Sequence, residues 1–400
     1  MTSEDELDPD DMPTIPIPAR RVVTTFDAAS RHERLENKPL PIRFIRRLVI
    51  TGFGMWIHIS SAIGKQLNWR PSVEPYVGYG TDDYSRLICR TVYAPARSEP
   101  GRLVRGLRAM LMVPAPATHV RIAIDAAPLT TVQIGSSEVY DWVDHGRDRS
   151  GETIISDVSG YLDLVAERRL EPGIHTVSYQ VAHRKPVASQ LFTIAPGTPI
   201  GVISDVDDTI MVTQAPSPLR AAYNLLLLNP KKRGSVPGMG VLFNKIADMF
   251  PQAPFFYLST SPWNVESSIR NFIADQGFPR GPLLLRDLDP RPKTFIPSGV
   301  QHKLEFAEQL MGDFPDMRFI LIGDDGQKDP TTYATIARRY PGRVLAIGIR
   351  QLSPREYSPL GTVAGLTATQ PMPVTDVPVF TGTTGSNLMK TMLPYLAKFQ

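Results

Sequence analysis

Short runs of alternating apolar and polar residues fill the middle of the chain, from about residue 86 to residue 192. Segments such as THVRIAIDA and HTVSYQVA are rich in Val, Ile, Thr and Tyr, and turn-forming residues separate one run from the next. This alternation is typical of antiparallel strands that bury one face. The pattern therefore predicts an antiparallel β-sandwich domain over residues 71–197.

From residue 199 the pattern changes, because strands with almost no polar positions alternate with amphipathic helical segments. The predicted strands cover residues 199–206, 255–259, 283–288, 318–323 and 343–349. Apolar strands that alternate with helices indicate a parallel sheet covered on both faces. The sequence thus predicts a doubly wound α/β domain of about five strands over residues 198–364. Together with the preceding sandwich, it makes an α+β chain of two domains.

The two ends of the chain differ from these domains. Residues 1–40 contain an acidic run and several prolines, which predict a mobile tail. Residues 41–70 are apolar and basic, and the segment Leu48–Gly64 is too short and too polar for a spanning helix. A buried helix is the favoured interpretation, and a helix lying in a membrane interface is the alternative. Residues 365–400 are predicted to be a linker followed by a helix over Asn387–Phe399.

Composition excludes several classes of protein. Hydrophobic residues make up 42% and charged residues 21% of the 400 residues, which suits a chain with a packed core. The lone cysteine, Cys89, rules out an internal disulfide and a cysteine zinc cluster, and it favours a reducing compartment. We therefore expect a cytoplasmic protein, with peripheral membrane contact left open. Aromatic and basic residues do not alternate, so no nucleic-acid partner is expected.

Charge is distributed unevenly along the chain. The formal net charge is +3, yet residues 1–12 contain six acidic residues and no basic one, which leaves an excess of bases elsewhere. Such an excess favours anionic partners, although a modest excess spread over two domains also serves solubility alone.

Polar residues collect where the predicted parallel strands end, which is where α/β sheets bind their ligands. They are Asp205, Asp207, Thr209, Ser259, Asp324 and Asp329, with Lys303 in the helix before the fourth strand. Taken singly, the DxD and GDDG segments are equally compatible with turns. Together, clustered carboxylates without cysteine or paired histidine favour Mg²⁺. A metal ion, carboxylates, a hydroxyl and a lysine form a site for a phosphoryl group.

Four stretches carry a family resemblance: SDVDDTI (204–210), YLSTSPWN (257–264), GDDGQKDPTTY (323–333) and PYVGYGT (75–81). Their order resembles the haloacid dehalogenase superfamily of aspartyl-phosphate phosphohydrolases. The stretches are most similar to phosphatidate phosphatases of the actin-patch-protein type and their bacterial relatives, over about residues 70–350. One position departs from that pattern, because Asp325 stands where the family motif GDSGQKD has serine.

The resemblance implies a role for each matching residue. Asp205 would be the nucleophile that forms a phosphoaspartate, and Asp207 would be the general acid and then the base. Thr209 would orient the loop that carries this pair, while Ser259 and Lys303 would bind the phosphoryl oxygens.

The resemblance also implies a cofactor and a substrate. Mg²⁺ would be held by Asp205, the backbone carbonyl of Asp207 and Asp324, with Asp329 in support. Phosphatidic acid would be hydrolysed to diacylglycerol and phosphate. Asp325 is left with two interpretations, an outer-shell contact or a solvated side chain.

A predicted cap insertion near residues 213–240 bears on the substrate. Four leucines, Leu225–Leu228, would bind acyl chains. Three basic residues follow them, Lys231, Lys232 and Arg233, and would bind anionic headgroups. A packed cap helix with a solvated basic end fits the same residues. Two other functions stay open: a phosphatase of a soluble phosphomonoester or phosphoprotein, and a non-catalytic scaffold that binds membranes or proteins.

Overall fold

The computed structural model describes most of the chain, and its described residues form six α-helices and two β-sheets. The described ranges are 40–94, 113–135, 143–147, 153–156, 159–166, 168–181, 184–212, 234–286, 299–326, 328–352 and 373–400. The predicted tail up to residue 39 and residues 213–233 of the predicted cap lie outside these ranges.

The first sheet contains ten strands in the order β5-β4-β9-β10-β2-β3-β8-β7-β6, and β1 pairs with β3. The strands are β1 (Arg70–Pro75), β2 (Gly78–Gly80), β3 (Ser85–Ala94), β4 (Thr118–Ile124), β5 (Ala127–Ile134), β6 (Val143–Arg147), β7 (Thr153–Ser156), β8 (Tyr161–Ala166), β9 (Gly173–Val181) and β10 (Val187–Thr193). An apolar cluster that includes Leu87, Val120, Val177 and Leu191 joins side chains of both halves of this sheet.

The predicted antiparallel pairing is wrong at one strand, β2, while the sandwich arrangement stays a prediction. This short strand pairs antiparallel with β3 on one side and parallel with β10 on the other, so it joins the strands into one mixed sheet. Glycine permits this approach, because a Cβ atom at Gly78 would lie 2.3 Å from the backbone oxygen of Arg86. Every other pairing in the sheet is antiparallel, as predicted.

The second sheet is parallel throughout and has the order β13-β12-β11-β14-β15-β16. The strands are β11 (Ile200–Ser204), β12 (Phe255–Pro262), β13 (Leu283–Arg286), β14 (Arg318–Asp324), β15 (Val344–Arg350) and β16 (Val379–Gly382). Five of these strands were predicted, whereas β16 lies in a stretch whose prolines and threonines suggest a linker. The strand order reverses between β11 and β14, which defines a topological switch point.

Helices cover both faces of the parallel sheet, as the apolar strands predict. They are α2 (Met239–Met249), α3 (Glu266–Asp275), α4 (Gly299–Asp313), α5 (Asp329–Arg339) and α6 (Gly385–Leu396). Neighbouring strand residues face opposite layers: Val202 of β11 packs with α2, α3 and α6, and Ile203 packs with α4 and α5. The predicted C-terminal helix is α6, which is continued by a 3₁₀ turn, Ala397–Phe399.

The first sheet packs directly against the 3₁₀ turn Trp263–Val265 that precedes α3. The ring of Tyr76 lies 4.9 Å from that of Trp263, and a guanidinium nitrogen of Arg90 donates to the side-chain oxygen of Asn264 at 2.7 Å. Trp263 is fully buried at this contact. These contacts attach the mixed sheet beside the strand that ends in Ser259 and Ser261.

The N-terminal helix α1 (Leu40–Gln66) contradicts the favoured prediction that its apolar segment is buried. Only six of its 27 residues are buried, and they are Ile50, Gly54, Ile57, Ser60, Ser61 and Gly64. Apart from Ile50 and Ile57, most of its large apolar side chains are exposed. Among the described residues, no helix, α1 included, has the length and hydropathy to span a bilayer.

Candidate active site

The site lies at the switch point of the parallel sheet, where β11 and β14 end side by side. The backbone N–H of Asp205 donates to the carbonyl of Ile322 at 2.8 Å, which places Asp205 directly beyond β11. Its side chain is buried, and its Oδ2 atom accepts a hydrogen bond of 3.2 Å from the Thr209 hydroxyl. One carboxylate is thereby fixed at the position where parallel sheets bind ligands.

Asp207 is held by two hydroxyl groups from the end of β12. Ser259 and Ser261 both donate to its Oδ2 atom, at 2.9 Å and 2.8 Å. Burial raises the pKa of Asp207, and the two hydroxyls oppose this effect because they stabilise the ionised carboxylate. A carboxyl group with a raised pKa is suited to donate a proton.

Ser261 belongs to the end of β12, and its hydroxyl contacts the site. The sequence Ser-Pro suggests a helix cap, but β12 continues to Pro262, and α3 begins only at Glu266 after a 3₁₀ turn. The hydroxyl of Ser261 therefore reaches Asp207 rather than a helix end. The sequence contains a signal for this contact, because Ser261 follows Ser259 by two residues. Positions i and i+2 of a strand face the same side, so both hydroxyls point toward the same group.

Lys303 crosses from α4 to the same carboxylates. Its Nζ atom lies 2.7 Å from Oδ1 of Asp205 and 2.5 Å from Oδ1 of Asp329, and all three side chains are almost fully buried. Burial alone would lower the pKa of Lys303, but the two carboxylates raise it well above its ordinary value. The lysine is therefore a permanent cation in a water-poor part of the site.

Three carboxylates form a candidate metal centre. One oxygen each from Asp205, Asp324 and Asp329 lies within 4.8 Å of the others. Within the described chain, the Oδ2 atom of Asp324 is buried without a hydrogen-bond partner. Burial raises the pKa of Asp205 to about 8 and raises that of Asp324, and neighbouring carboxylates add to both effects. An all-oxygen cluster with excess negative charge and an unsatisfied oxygen fits a hard divalent cation.

A glycine allows two of these carboxylates to approach one another. A Cβ atom at Gly323 would lie 2.4 Å from Oδ2 of Asp329, so a larger residue would displace that carboxylate. The backbone N–H of Asp324 points to the same oxygen at 3.4 Å. The close approach of β14 to the first turn of α5 thus depends on the missing side chain.

Arg350 belongs to this region but was not predicted. One guanidinium nitrogen donates to the backbone oxygen of Asp208 at 2.6 Å, and the side chain is buried. Asp208 has a φ of 55°, a left-handed conformation that favours Asn, Asp and Gly. Arg350 therefore braces the turn between Asp207 and Thr209. The available signal was a charged residue at the end of the otherwise apolar strand β15.

Asp325 does not behave as a solvated residue. Its side chain is buried, and its Oδ1 atom accepts a hydrogen bond of 2.8 Å from the backbone N–H of Leu352. The solvated alternative is therefore wrong, and this acid links the loop after β14 to the end of β15.

The structure brings the central set of predicted site residues together. This set is Asp205, Asp207, Thr209, Ser259, Lys303, Asp324 and Asp329. The predicted headgroup ligands Lys231, Lys232 and Arg233 lie outside the described residues, as do Leu225–Leu228. The predicted contact of Ser259 with a phosphoryl group stays a prediction.

Comparison with known proteins points to one class for the parallel sheet. Residues 200–351 match the family model of the catalytic domain of phosphatidate phosphatase APP1. Phosphatidate phosphatase APP1 of Saccharomyces cerevisiae is 31% identical over 152 residues, which are 38% of this chain and 26% of the yeast protein. An uncharacterised protein of Schizosaccharomyces pombe is 27% identical over 154 residues, 38% of this chain and 25% of that protein.

These matches cover only part of each protein. The chain spans about a quarter of the length of the two curated relatives, and the segment PYVGYGT (75–81) lies outside the residues matched by the family model. Among solved structures, purple acid phosphatase PPD1 from yellow lupin aligns with 71% of this chain and 58% of that chain. Its identity is 10% and its TM-score 0.27, too low to indicate a shared fold.

Proposed function

We propose that this protein is a Mg²⁺-dependent phosphatase that hydrolyses phosphatidic acid to diacylglycerol and phosphate. The observation that carries the proposal is the placement of Asp205 against Lys303 within the carboxylate cluster at the switch point. The match of residues 200–351 to a phosphatidate phosphatase catalytic domain supports the choice of substrate. The reaction would follow the phosphoaspartate chemistry of the haloacid dehalogenase superfamily.

In the first step, a carboxylate oxygen of Asp205 attacks phosphorus and the bond from phosphorus to the glycerol oxygen breaks. Asp207 gives its proton to that leaving oxygen, so diacylglycerol departs as a neutral alcohol. The raised pKa of Asp207 supports this role, because the group must hold a proton before the step. Lys303 would neutralise charge on the transferred phosphoryl oxygens, and its position 2.7 Å from Oδ1 of Asp205 supports this role.

In the second step, Asp207 is a carboxylate and removes a proton from a water molecule. That water attacks phosphorus, the bond between phosphorus and Asp205 breaks, and phosphate leaves. Asp205, Asp324 and the backbone carbonyl of Asp207 would hold Mg²⁺, with Asp329 in support. The ion would supply positive charge that stabilises the phosphoryl oxygens and keeps Asp205 ionised.

Phosphate release from phosphatidic acid in mixed micelles tests the proposal. We expect turnover with Mg²⁺, none with EDTA, and losses of at least about 1,000-fold in Asp205→Asn and Asp207→Asn. Asp316→Asn, an exposed acid after α4, is the matched control and should behave as wild type. A wild type that hydrolyses only a soluble aryl phosphate would remove the lipid substrate. Silence on both substrates would favour the scaffold function.

The covalent step has its own test. A ³²P-labelled aryl phosphate has a good leaving group, so its first step does not require the acid. Asp207→Asn should therefore accumulate labelled protein, because the second step lacks its base. Asp205→Asn should acquire no label. Labelling of Asp205→Asn would place the nucleophile elsewhere and overturn the mechanism.

A further inference from the structure

The outward face of α1 is the largest concentration of exposed apolar side chains among the described residues. Of 14 large hydrophobic residues that are exposed there, 11 lie between residues 40 and 67. Phe44, Leu48, Met55 and Ile59, the outward quartet, are 71%, 65%, 57% and 51% exposed. Their spacing of four, seven and four residues places them along one side of a helix.

The opposite side of α1 packs on the mixed sheet through small residues. A Cβ atom at Gly64 would lie only 3.3 Å from the ring of Tyr93, and the hydroxyl of Ser61 donates to the backbone oxygen of Pro114 at 2.9 Å. This arrangement differs from an ordinary surface helix, which buries most of its large apolar side chains, because only Ile50 and Ile57 of those side chains are buried here. The outward quartet is therefore presented to the surroundings by a helix that is already fixed to the protein.

The charges of α1 select one kind of partner. The helix contains no acidic residue along its 27 positions. At 100° per residue, Arg47 and Lys65 share one border of the outward face, and both are exposed. An apolar face with a basic border is complementary to acyl chains beneath anionic headgroups. A second copy of the same helix would offer no acid to these bases.

We propose that α1 lies in the interface of a bilayer that contains anionic lipid. The outward quartet enters the acyl region, and Arg47 and Lys65 lie beside the headgroup phosphates. The contact follows from α1 alone, whereas the choice of phosphatidic acid as the anionic lipid rests on the proposed function. Helix α1 would then keep the site near a substrate that does not leave the membrane.

Sedimentation of the full chain with sucrose-loaded vesicles tests this contact without any turnover. Three kinds of vesicle are compared. One contains phosphatidylcholine alone, and the other two contain in addition about 30 mol% of phosphatidylserine or of phosphatidic acid, which gives the surface a negative charge like that of an anionic leaflet. We expect binding to both anionic mixtures and at least about 10-fold weaker binding after all four residues of the outward quartet are changed to glutamine. Matched controls are Ile174→Gln and Val241→Gln, which remove exposed apolar side chains elsewhere.

Two further variants separate the basic border from charge in general. Arg47→Gln with Lys65→Gln should weaken binding to anionic vesicles, whereas Lys245→Gln with Lys390→Gln should not, since those lysines lie on α2 and α6. Vesicles with bromine-labelled acyl chains should quench the tryptophan fluorescence of the wild type more than that of Trp56→Phe. The reason is that Trp56 lies on the outward face of α1. Circular dichroism of each variant checks that the fold is retained.

The outcomes distinguish this contact from the proposed function. Binding to phosphatidylserine vesicles without hydrolysis of any phosphatidic acid would retain the role of α1 and remove the lipid phosphatase. Hydrolysis of a short-chain, monomeric phosphatidic acid without vesicle binding would do the reverse. Equal binding by wild type and the quartet variant would overturn the proposal. So would a dimer in sedimentation equilibrium that depends on the quartet, since a second copy would then be the occupant.

Discussion

The Nζ atom of Lys303 lies 2.7 Å from Oδ1 of Asp205, and both side chains are almost fully buried. Two effects therefore compete at Asp205: burial raises its pKa, and the lysine opposes that rise. The ionised form is the one that can attack phosphorus. Lys303 thus favours the ionised form of Asp205, the proposed nucleophile.

Replacement of Lys303 by methionine should reduce kcat/KM by about 100-fold or more, because the nucleophile and the phosphoryl oxygens both lose a buried cation. Lys303→Arg should not restore activity, since a planar guanidinium does not fit between two carboxylates held by an ammonium group. Lys245→Met, at an exposed lysine of α2, is the control. Wild-type kcat/KM in Lys303→Met, measured with an aryl phosphate, would contradict the assigned role.

Ser261→Ala should shift the pH dependence of kcat/KM. Its hydroxyl stabilises the ionised form of Asp207, so its removal raises the pKa of that carboxyl group further. Asp207 must be protonated to release the alcohol, and a higher pKa keeps it protonated to higher pH. The basic limb of the profile should therefore move up by about one pH unit, the effect of one hydrogen bond to a charged group.

The control for this shift is Ser267→Ala, an exposed serine on α3. It should leave both limbs of the profile in place. A loss of kcat in Ser261→Ala with an unchanged basic limb would mean that Ser261 acts on something other than the protonation of Asp207.

Gly323→Ala should weaken the binding of Mg²⁺ by about 10-fold or more, as expected when a ligand is displaced. The new methyl group would collide with Oδ2 of Asp329, which lies beside Asp324 and Lys303. The measurement is the Mg²⁺ concentration that gives half of the maximal rate with a soluble aryl phosphate. Gly52→Ala is the control, because no atom lies within 4 Å of the added carbon there. An unchanged Mg²⁺ requirement would place the ion away from Asp329.

The central site was predictable because strand pattern alone locates the ends of buried parallel strands. Asp205 follows β11 and Asp324 ends β14, and the switch point between these strands brings them together. Arg350 and Ser261 were missed because their partners are distant in sequence. The guanidinium of Arg350 reaches the backbone oxygen of Asp208, 142 residues away, and no local pattern encodes that contact.

Two features of the fold were not predictable for related reasons. The periodicity of α1 shows that its residues Leu40–Gln66 have an apolar face, but not whether that face meets the protein or its surroundings. A small residue on the packed side, Gly64, decides the orientation through its close approach to the ring of Tyr93 on β3. Strand β16 consists of only four residues, and its pairing with β15 outweighs the weak strand propensity of its neighbourhood.

Glu266 provides a test of stability that is independent of turnover. Burial raises its pKa from 4.5 to about 7, while Arg270 and the backbone of Val77 oppose the rise. The folded state therefore binds the proton more tightly than the unfolded chain. Its contribution to stability is fully present below pH 4.5 and is lost as the pH rises through about 7.

Glu266→Gln should remove this pH dependence, because the amide does not titrate. At pH 8 the variant should exceed wild type by up to about 3 kcal/mol, a figure that already includes the attraction to Arg270, whose nitrogen lies 3.5 Å from the carboxylate. At pH 4.5 the two proteins should differ little. Urea unfolding at both pH values measures the difference, and Asp275→Asn, an exposed acid on the same helix, is the control. A variant less stable than wild type at pH 8 would show that the ion pair with Arg270 outweighs the burial of Glu266.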